Sequence, residues 1–337
     1  MFDKDTYIRR RRELKKLVGD GVIVLFGNNN SPANFPNNGY HPFRQDSSFL
    51  YYFGQQREGL VGVIDVDNDV ETLVGDDISI DDIVWYGSVD SVSDMAGQVG
   101  VAHSAPMSEL ENICKDAQAK KRTIHFLPPY RHDIMIQIYD LLGIHPKQQT
   151  EKASMKLIKA VVKMRSTKEP QEIEELERAA VIGYKMHTTA MRMVKPGVTE
   201  QLIAGTIDGI ANGYGSMVSF PTIFSQHAEI MHGSPSMNLL EDGRLVLCDA
   251  GAETVNHYCS DNTRTMPVNG KFTQRQLEIY TIVEECHDLA LSLSKPGVRY
   301  WDVHFAVCRH MTDRLKELGL MKGDTEEAVR AGAHAMF

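Results

Sequence analysis

The sequence has few cysteines and lacks any long apolar segment. Its five cysteines are odd in number and unclustered, and no two of them have Cys-x-x-Cys spacing. This usage predicts reduced, mostly buried thiols in a cytoplasmic protein. No apolar run approaches the roughly 20 residues that span a bilayer, which excludes an integral membrane protein. The charged segment 1–12 is followed by no apolar core, so we expect no secretory signal.

The chain also lacks an excess of basic residues. It has 36 lysines and arginines against 45 aspartates and glutamates among 337 residues, a formal net charge of −9. This balance argues against a dedicated nucleic-acid-binding protein. Residues 7–18 form a basic amphipathic helix in which we expect a solvated arginine face rather than a binding patch. With 42% hydrophobic residues, the chain predicts a globular protein of about two domains.

The N-terminal part predicts a mixed α/β domain. Short strand-like runs alternate with helical stretches and with turns rich in Asn, Pro and Gly. We expect strands at 22–26, 49–53, 60–64 and 123–127, and helices around 107–120 and 132–142. A polar joint at 165–170 precedes a further helix, so we place the boundary within 155–170. The predicted domains are therefore 1–160 and 165–337.

The second half of the chain contains an internal repeat at an offset of 100 residues. Lys-Pro-Gly-Val occurs at 195–198 and again at 295–298. Each copy follows a helical stretch and precedes another amphipathic one, which favours duplication over two unrelated helix stops. The segment after the first copy, about 215–268, would recur at 315–368. Because the sequence ends at Phe337, we expect the second repeat to lack most of its strands.

Two aspartates lie on the arms of a predicted β-hairpin. A buried strand ends at Asp249, and a turn near Val255 leads to a returning strand through Asp261. With Val255 at the centre the two carboxylates face each other, with their Cβ atoms about 5 Å apart. A bulge would make the pair diagonal instead. Carboxylates this close repel unless a divalent cation, or a Lys or Arg, lies between them.

The segments that contain these two aspartates resemble a known family. The segments 249–253 (Asp-Ala-Gly-x-Glu) and 261–272 (Asp-x-Thr-Arg-Thr-x-Pro-Val-x-Gly-Lys-Phe) closely resemble the first two metal-ligand strands of pita-bread metallopeptidases. Among these, the nearest match is to Xaa-Pro aminopeptidases, with prolidases next. Residues 40–54 resemble the signature of the family's N-terminal domain, and 164–179 resemble the entry to its catalytic domain. The resemblance implies an α/β protein with a mixed N-terminal domain and a duplicated α+β pita-bread domain.

The resemblance also implies a mechanism. Two divalent metal ions, usually Mn²⁺ and sometimes Co²⁺ or Zn²⁺, would be held with Asp249 chelating one ion and Asp261 bridging both. A hydroxide bridging the two ions would attack the Xaa-Pro bond of a peptide with proline at its second position. His232 matches the histidine that contacts the substrate and steadies the tetrahedral intermediate, whereas His227 is expected to be structural. The family resemblance further implies a homo-oligomer such as a dimer, with no organic cofactor.

The chain departs from the family pattern in two places. The turn near 255–257 carries one extra residue, which a hairpin tip tolerates. The sequence also contains no His-Gly-x-Gly-His motif, and the two later glutamate ligands of the family are missing as well. We therefore expect an incomplete pita-bread domain, truncated in its second repeat. Residues 1–337 alone should hold no stoichiometric dinuclear centre and show no peptidase activity.

The sequence leaves three other functions open. The first is an Xaa-Pro dipeptidase (prolidase), which differs from an aminopeptidase in what blocks the pocket beyond the first residues. The second is a non-catalytic pita-bread module that binds peptides or proteins. The third is a metal-free hydrolase of the creatinase type. The intact aspartates Asp249 and Asp261 weigh against the last two.

Overall fold

A five-stranded mixed sheet organises the N-terminal part of the computed structural model, which describes residues 1–32, 34 and 43–336. Within those residues the strand order is β4-β3-β2-β1-β5. The β1–β2 and β2–β3 pairs are antiparallel, and the β3–β4 and β1–β5 pairs are parallel. The strands are β1 (Val22–Phe26), β2 (Val61–Asp65), β3 (Val70–Val74), β4 (His103–Ala105) and β5 (Ile124–His125). The helices are α1 (Lys4–Val18), α2 (Ser47–Phe53), α3 (Ile80–Tyr86), α4 (Val92–Gln98), α5 (Ser108–Ala119), α6 (His132–Leu142), α7 (Pro146–Lys152) and α8 (Met155–Ser166).

Alternation along the strands creates a core on each face of this sheet. Ile23 and Leu25 of β1 point into a cluster with residues of α1, α2, α4 and α8. Their neighbours Val22 and Val24 point the other way, into a cluster with α5. Side chains alternate between faces along a strand, so a strand that is apolar at every position is covered on both sides. The mixed α/β prediction for this part is confirmed.

The expected strand at 49–53 is wrong, because this segment is helix α2. The Asp46 side chain accepts hydrogen bonds from the backbone N–H groups of Ser48 and Phe49, both at 2.8 Å, and so caps the helix start. Gly54 ends the helix in the left-handed region, at φ 65°. Phe49 and Phe53, four residues apart, stack in the core with their ring centroids 5.5 Å apart. An unbroken aromatic run does not distinguish a buried strand from a buried helix, and here the cap decided the outcome.

The solvated arginine face expected for the first helix is also wrong in part. Arg10 and Arg11 of α1 are buried, at 2% and 0% exposure. Arg11 donates from Nε to Glu71 at 2.7 Å, and its other nitrogens donate to the carbonyls of Tyr52 and Val99. A buried charge is costly unless it is paired and hydrogen-bonded, and each nitrogen of the Arg11 guanidinium has an acceptor. These arginines therefore serve the interior of the fold.

The remaining elements follow in chain order. The helices are α9 (Pro170–Met193), α10 (Glu200–Tyr214), α11 (Gln274–Leu293), α12 (Tyr300–Glu317) and α13 (Thr325–Arg330), followed by a short 3₁₀ helix, Ala333–Met336. The strands are β6 (Met217–Val218), β7 (Ile223–Ser225), β8 (Leu245–Ala250), β9 (Ala252–Glu253) and β10 (Asn262–Pro267). Strands β10, β8 and β7 form an antiparallel sheet in that order.

The chain divides into two compact units. Unit 1 comprises Met1–Ile182, Asn212–Met217 and Ala252–Ser260, and unit 2 comprises Gly183–Ala211, Val218–Gly251 and the chain from Asp261 onward. Unit 1 thus contains a turn of the second half of the chain, the tip of the hairpin between β8 and β10. The domain limits expected at 1–160 and 165–337 stay a prediction.

The two copies of Lys-Pro-Gly-Val form the same turn. Helices α9 and α11 end at 193 and 293, and α10 and α12 begin at 200 and 300. Gly197 and Gly297 both have φ 86°, in the left-handed region that favours glycine. In both turns the valine N–H bonds to the lysine carbonyl, at 3.3 and 3.1 Å. The matching geometry supports the duplication. We expect the two helix pairs, α9–α10 and α11–α12, to superpose.

Other expectations can be checked in the same residues. Four of the five cysteines are buried, in line with the expectation of mostly buried thiols, and Cys259 is exposed. Across the described ranges, no helix combines the length and apolar character that a bilayer-spanning segment needs. Residues 40–42, the start of the N-terminal family signature, lie outside the described residues.

Candidate metal centre

Strand β8 brings Asp249 to a half-buried position next to a fully buried core. Burial alternates along β8. Val246, Cys248 and Ala250 have 0% exposure, and Asp249 lies on the opposite side of the strand. Burial and the nearby carboxylates of Asp249 and Asp208 raise the pKa of Cys248 to about 12. The thiol behind the strand is therefore protonated and inert at neutral pH. The reactive face of β8 is the one that carries Asp249.

The pairing of β8 with β10 sets the relation between the two aspartates. Asp249 lies opposite Thr263, and Asp261 precedes Thr263 by two residues. The direct pairing predicted for the carboxylates is wrong, and they are diagonal neighbours, as the alternative allowed. Diagonal neighbours on one face are about 7–8 Å apart at Cα, within reach of a shared ligand. The structure thus brings Asp249 and Asp261 together, with Asp261 the more exposed of the two.

The tip of the hairpin explains the change of register. Thr254 N–H donates to the Tyr258 carbonyl at 2.9 Å, which centres the loop on Asn256 rather than on Val255. Moving the centre of a turn by one residue moves every cross-strand pair by two. His257 adopts φ 63°, which allows this three-residue loop to close. The extra residue noted in the sequence lies in this loop.

The environment of Asp249 is suited to a cation. Its Oδ1 is buried and has no hydrogen-bond partner among the residues that the structure describes. Arg264, three residues after Asp261, lies opposite Cys248, and its Nη1 donates to the Thr263 carbonyl at 2.7 Å. Arg264 is therefore on the other face of the hairpin from Asp249. A buried carboxylate oxygen without a donor is costly unless a bound ion satisfies it, so the residues present fit a divalent metal.

His232 and His227 lie on the loop between β7 and β8. His232 is exposed in a turn of this loop, whereas His227 is half-buried with Nδ1 3.0 Å from Glu229 Oε1. The loop is closed at its base because the Gln226 side chain donates to the Leu239 carbonyl at 3.0 Å. Within the described residues, His232 makes no side-chain hydrogen bond to either aspartate, and its role stays a prediction.

A buried glutamate that the sequence did not single out holds this loop. Glu200, the first residue of α10, is 0% exposed. One of its carboxylate oxygens accepts from Ser225 Oγ at 3.1 Å and Gln226 N at 2.8 Å, and the other accepts from Ser236 Oγ at 2.8 Å and Ser236 N at 3.3 Å. Glu200 therefore fixes both sides of the segment that carries His232. In the sequence it looks like an ordinary acidic residue in the first turn of a helix.

A second cluster that the sequence did not reveal lies within unit 1 at the hairpin tip. Glu253 is 3% exposed, and its two oxygens lie 2.8 Å from Arg44 Nε and 3.0 Å from His257 Nδ1. Burial alone would raise the pKa of Glu253, but the contacts with His257 and Arg44 outweigh it and hold that pKa below its usual value. The tip is further held by Tyr258, whose hydroxyl donates to Glu172 at 2.8 Å. These contacts pin the turn and hence the register of the two aspartates.

The chain is similar to known proteins over most of its length. Residues 174–333 match the model of metallopeptidase family M24, and residues 7–125 match the aminopeptidase P N-terminal domain. The chain is also 31% identical over 354 residues to the Xaa-Pro aminopeptidase of Escherichia coli, in an alignment covering 100% of this chain and 78% of that protein.

The chain belongs to metallopeptidase family M24.

Further matches extend over nearly the whole chain. Xaa-Pro aminopeptidase 2 of Streptomyces coelicolor is 27% identical, with 98% of this chain and 71% of that protein covered. The low-pH form of aminopeptidase P from E. coli superposes with a TM-score of 0.85 at 30% identity, covering 100% of this chain and 79% of that one. A zinc-substituted E. coli aminopeptidase P in complex with product gives 0.84 at 28% identity, covering 100% and 78%.

Family membership confirms several expectations. The architecture is an aminopeptidase P N-terminal domain followed by a pita-bread domain. The protein is a hydrolase, which favours an enzyme over the non-catalytic binding module that the sequence left open. The relatives support a metallo-aminopeptidase function that depends on divalent metal ions.

Proposed function

We propose that the protein is a metal-dependent aminopeptidase that cleaves the Xaa-Pro bond at peptide N-termini, with Asp249 and Asp261 as metal ligands. The observation that carries this proposal is the buried Oδ1 of Asp249, which has no hydrogen-bond partner among the described residues and lies on a residue diagonal to Asp261 on one face of the hairpin. The similarity to Xaa-Pro aminopeptidases over the whole chain supports the choice of substrate. A peptide with proline at its second position is the expected ligand.

The chain's own groups have distinct tasks in this proposal. Asp249 and Asp261 would hold the metal ions, Asp249 as a ligand to one ion and Asp261 as a ligand shared by both, as the family resemblance implies. Oxygen ligands suit Mn²⁺, although Co²⁺ and Zn²⁺ remain candidates. When bound, such ions activate water and polarise the peptide carbonyl. His232 would donate a hydrogen bond to the carbonyl oxygen of the scissile bond, and Glu200 would position the loop that presents His232.

The proposal includes a shortage of ligands. Two carboxylates are a partial set for two ions that each favour about six ligands. We therefore propose that residues 1–337 by themselves bind Mn²⁺ weakly and cleave no peptide, because a dinuclear centre needs further histidine and glutamate ligands like those of the family. A dimeric assembly and a cytoplasmic location also belong to the proposal, on the strength of the family resemblance and the cysteine usage.

Metal binding tests the site directly. Mn²⁺ is titrated into the 337-residue chain by calorimetry, in the wild type, in Asp249→Asn and in a control, Asp288→Asn, which removes an exposed carboxylate on α11. We expect weak binding that Asp249→Asn removes and that the control retains. Equal binding by all three would contradict the assignment.

Peptide cleavage tests the reaction. With added Mn²⁺, an Xaa-Pro-Xaa tripeptide and an Xaa-Pro dipeptide are offered to residues 1–337 and to a form of the chain that also carries the family's later ligands. We expect only the form with those ligands to cleave the tripeptide. Cleavage of the dipeptide alone would indicate a prolidase, and robust turnover by residues 1–337 would mean that unidentified ligands complete the site.

A further inference from the structure

We propose that His304, Cys308 and His334 form a second metal site, for a zinc-class ion, separate from the aspartate hairpin. All three residues belong to unit 2. Each offers one ligand atom, and these three atoms lie within 4.8 Å of one another. The proposal does not depend on the peptidase function, because it uses none of the residues assigned to that reaction.

Helical spacing brings the first two ligands together. His304 and Cys308 are four residues apart on α12, so their side chains share one face of the helix. Cys308 Sγ lies 3.5 Å from His304 Nε2. Cys308 is 3% exposed and forms the floor of the cluster, whereas His304 is exposed. An ion can thus enter from the solvent side and meet the thiol at the bottom.

The third ligand arrives through a turn that the fold holds in place. Helix α13 is fixed to α12 by Arg309, whose Nε lies 2.6 Å from Glu326, and by Lys316, which donates to Thr325 at 2.9 Å. Gly332 follows at φ 74°, in the left-handed region, and turns the chain into the 3₁₀ helix Ala333–Met336. The ring of His334 then lies 6.4 Å from that of His304 between centroids.

An unsatisfied nitrogen points to a ligand at this cluster. His334 Nδ1 is buried and has no hydrogen-bond partner within the described residues. A buried polar atom of this kind usually has a partner, and a bound ion is one of the standard explanations. His334 belongs to the same three-residue group, in which the three ligand atoms lie within 4.8 Å of one another. Geometry and the orphaned nitrogen therefore support the same assignment independently.

The donor set selects the class of ion. Two imidazoles and a thiolate suit Zn²⁺ or Co²⁺, whereas Mn²⁺, Mg²⁺ and Ca²⁺ prefer oxygen. Ligand atoms around a tetrahedral zinc ion lie about 3–4 Å apart, so small side-chain rotations from the present spacing close the site. Binding displaces the thiol proton, and a fourth position stays open to water. Such an ion would cross-link α12 to the segment after α13 and so stabilise that segment.

Cobalt spectroscopy separates this site from the aspartate pair. Co²⁺ is titrated into the 337-residue chain, because a Cys-bound cobalt ion gives a sulfur-to-metal charge-transfer band that oxygen ligands cannot produce. We expect one equivalent to give the band. The near-isosteric Cys308→Ser should abolish it, and His304→Ala or His334→Ala should weaken binding by at least the roughly 10–100-fold that loss of an outer-shell partner costs.

Matched controls make the result decisive. Cys259→Ser removes an exposed thiol, His287→Ala removes an exposed imidazole on α11, and Asp249→Asn alters the hairpin site. All three should keep the band, and circular dichroism checks that every variant is folded. As a second readout, Zn²⁺ should raise the Tm of the wild type but not of His334→Ala. A band that survives Cys308→Ser, a band lost in Cys259→Ser, or no band in the wild type would each overturn the proposal.

Discussion

The first helix pair, α9 and α10, and the second, α11 and α12, are each joined by a Lys-Pro-Gly-Val turn. The two pairs differ at the residue that begins the second helix. Position 200 is a glutamate with no exposure that accepts four hydrogen bonds, whereas the matching position 300 is a tyrosine that is 85% exposed. Both helices begin at the same distance after Lys-Pro-Gly-Val. The difference shows that the turn sequence sets local geometry, while the surroundings of each helix decide what its first residue does.

The first helices of the two pairs also make different contacts. In the first pair, His187 of α9 donates from Nε2 to the Ala250 carbonyl at 3.1 Å, in the buried interior of unit 2. In the second, Glu285 of α11 contacts two residues of α12, His310 Nε2 at 3.1 Å and Arg314 Nε at 2.8 Å, near the surface. Salt screens a surface ion pair more strongly than a buried hydrogen bond to a backbone carbonyl. Substitutions in the two pairs should therefore have different effects.

The largest expected effect is on the hairpin after the first pair. In a Mn²⁺-loaded form that also carries the family's histidine and glutamate ligands, Asp261→Ala should lower kcat/KM for an Xaa-Pro peptide by more than about 10³-fold, because it removes a proposed ligand to both ions. Asp288→Ala, in the second pair, should leave the rate unchanged. Normal turnover by Asp261→Ala would refute the proposed metal site. It would also remove the functional difference between the first and second copies of the repeat.

The next effect concerns the loop that Glu200 holds. His232→Ala should lower kcat by roughly 10²–10³-fold, the usual cost of removing one donor to a transition state. Mn²⁺ binding should be unaffected, since His232 is not a proposed ligand. Steady-state kinetics with a parallel metal titration checks both points, and a loss of metal binding would reassign His232 as a ligand.

The third prediction compares the matching positions directly. Glu200→Ala leaves the donors of Ser225, Gln226 and Ser236 without their acceptor, so the free energy of unfolding should fall by about 3 kcal/mol. Tyr300→Ala removes an exposed ring and should change it by less than about 0.5 kcal/mol. Urea denaturation of both variants measures the difference. Similar losses of unfolding free energy at positions 200 and 300 would contradict the conclusion that the surroundings of each helix decide the role of its first residue.

The smallest effect is electrostatic. Desolvation tends to raise the pKa of Glu285, but its hydrogen bonds with His310 and Arg314 outweigh this and lower it. A lowered folded-state pKa contributes stability above the ordinary glutamate pKa, and that contribution is lost as the pH falls through the folded value. Glu285→Gln should therefore flatten the acid side of the stability profile. In high salt, wild type and variant should converge, whereas Glu200→Ala should stay destabilised.

Local signals made part of the fold and site predictable. Lys-Pro-Gly-Val dictates a helix stop with a left-handed glycine, and both copies adopt φ 86° there. The apolar run of β8 and the spacing of the two aspartates were enough to indicate an acidic site on two strands. Glu200 could not be identified in this way, because its partners Ser225 and Ser236 lie 25 and 36 residues away in the sequence.

The sequence by itself determined the elements whose cause is local: the repeated turn, the buried strand that ends near Asp249, and the family to which the motif strings belong. Tertiary structure alone decided the rest. The diagonal placement of Asp249 and Asp261 results from a loop centred on Asn256, in a tip fastened by Glu253 and its partners. Arg10 and Arg11 became interior residues because acceptors from distant segments meet them there. Periodicity reports which face of an element is apolar, but register and the burial of charge depend on partners that only the folded chain brings together.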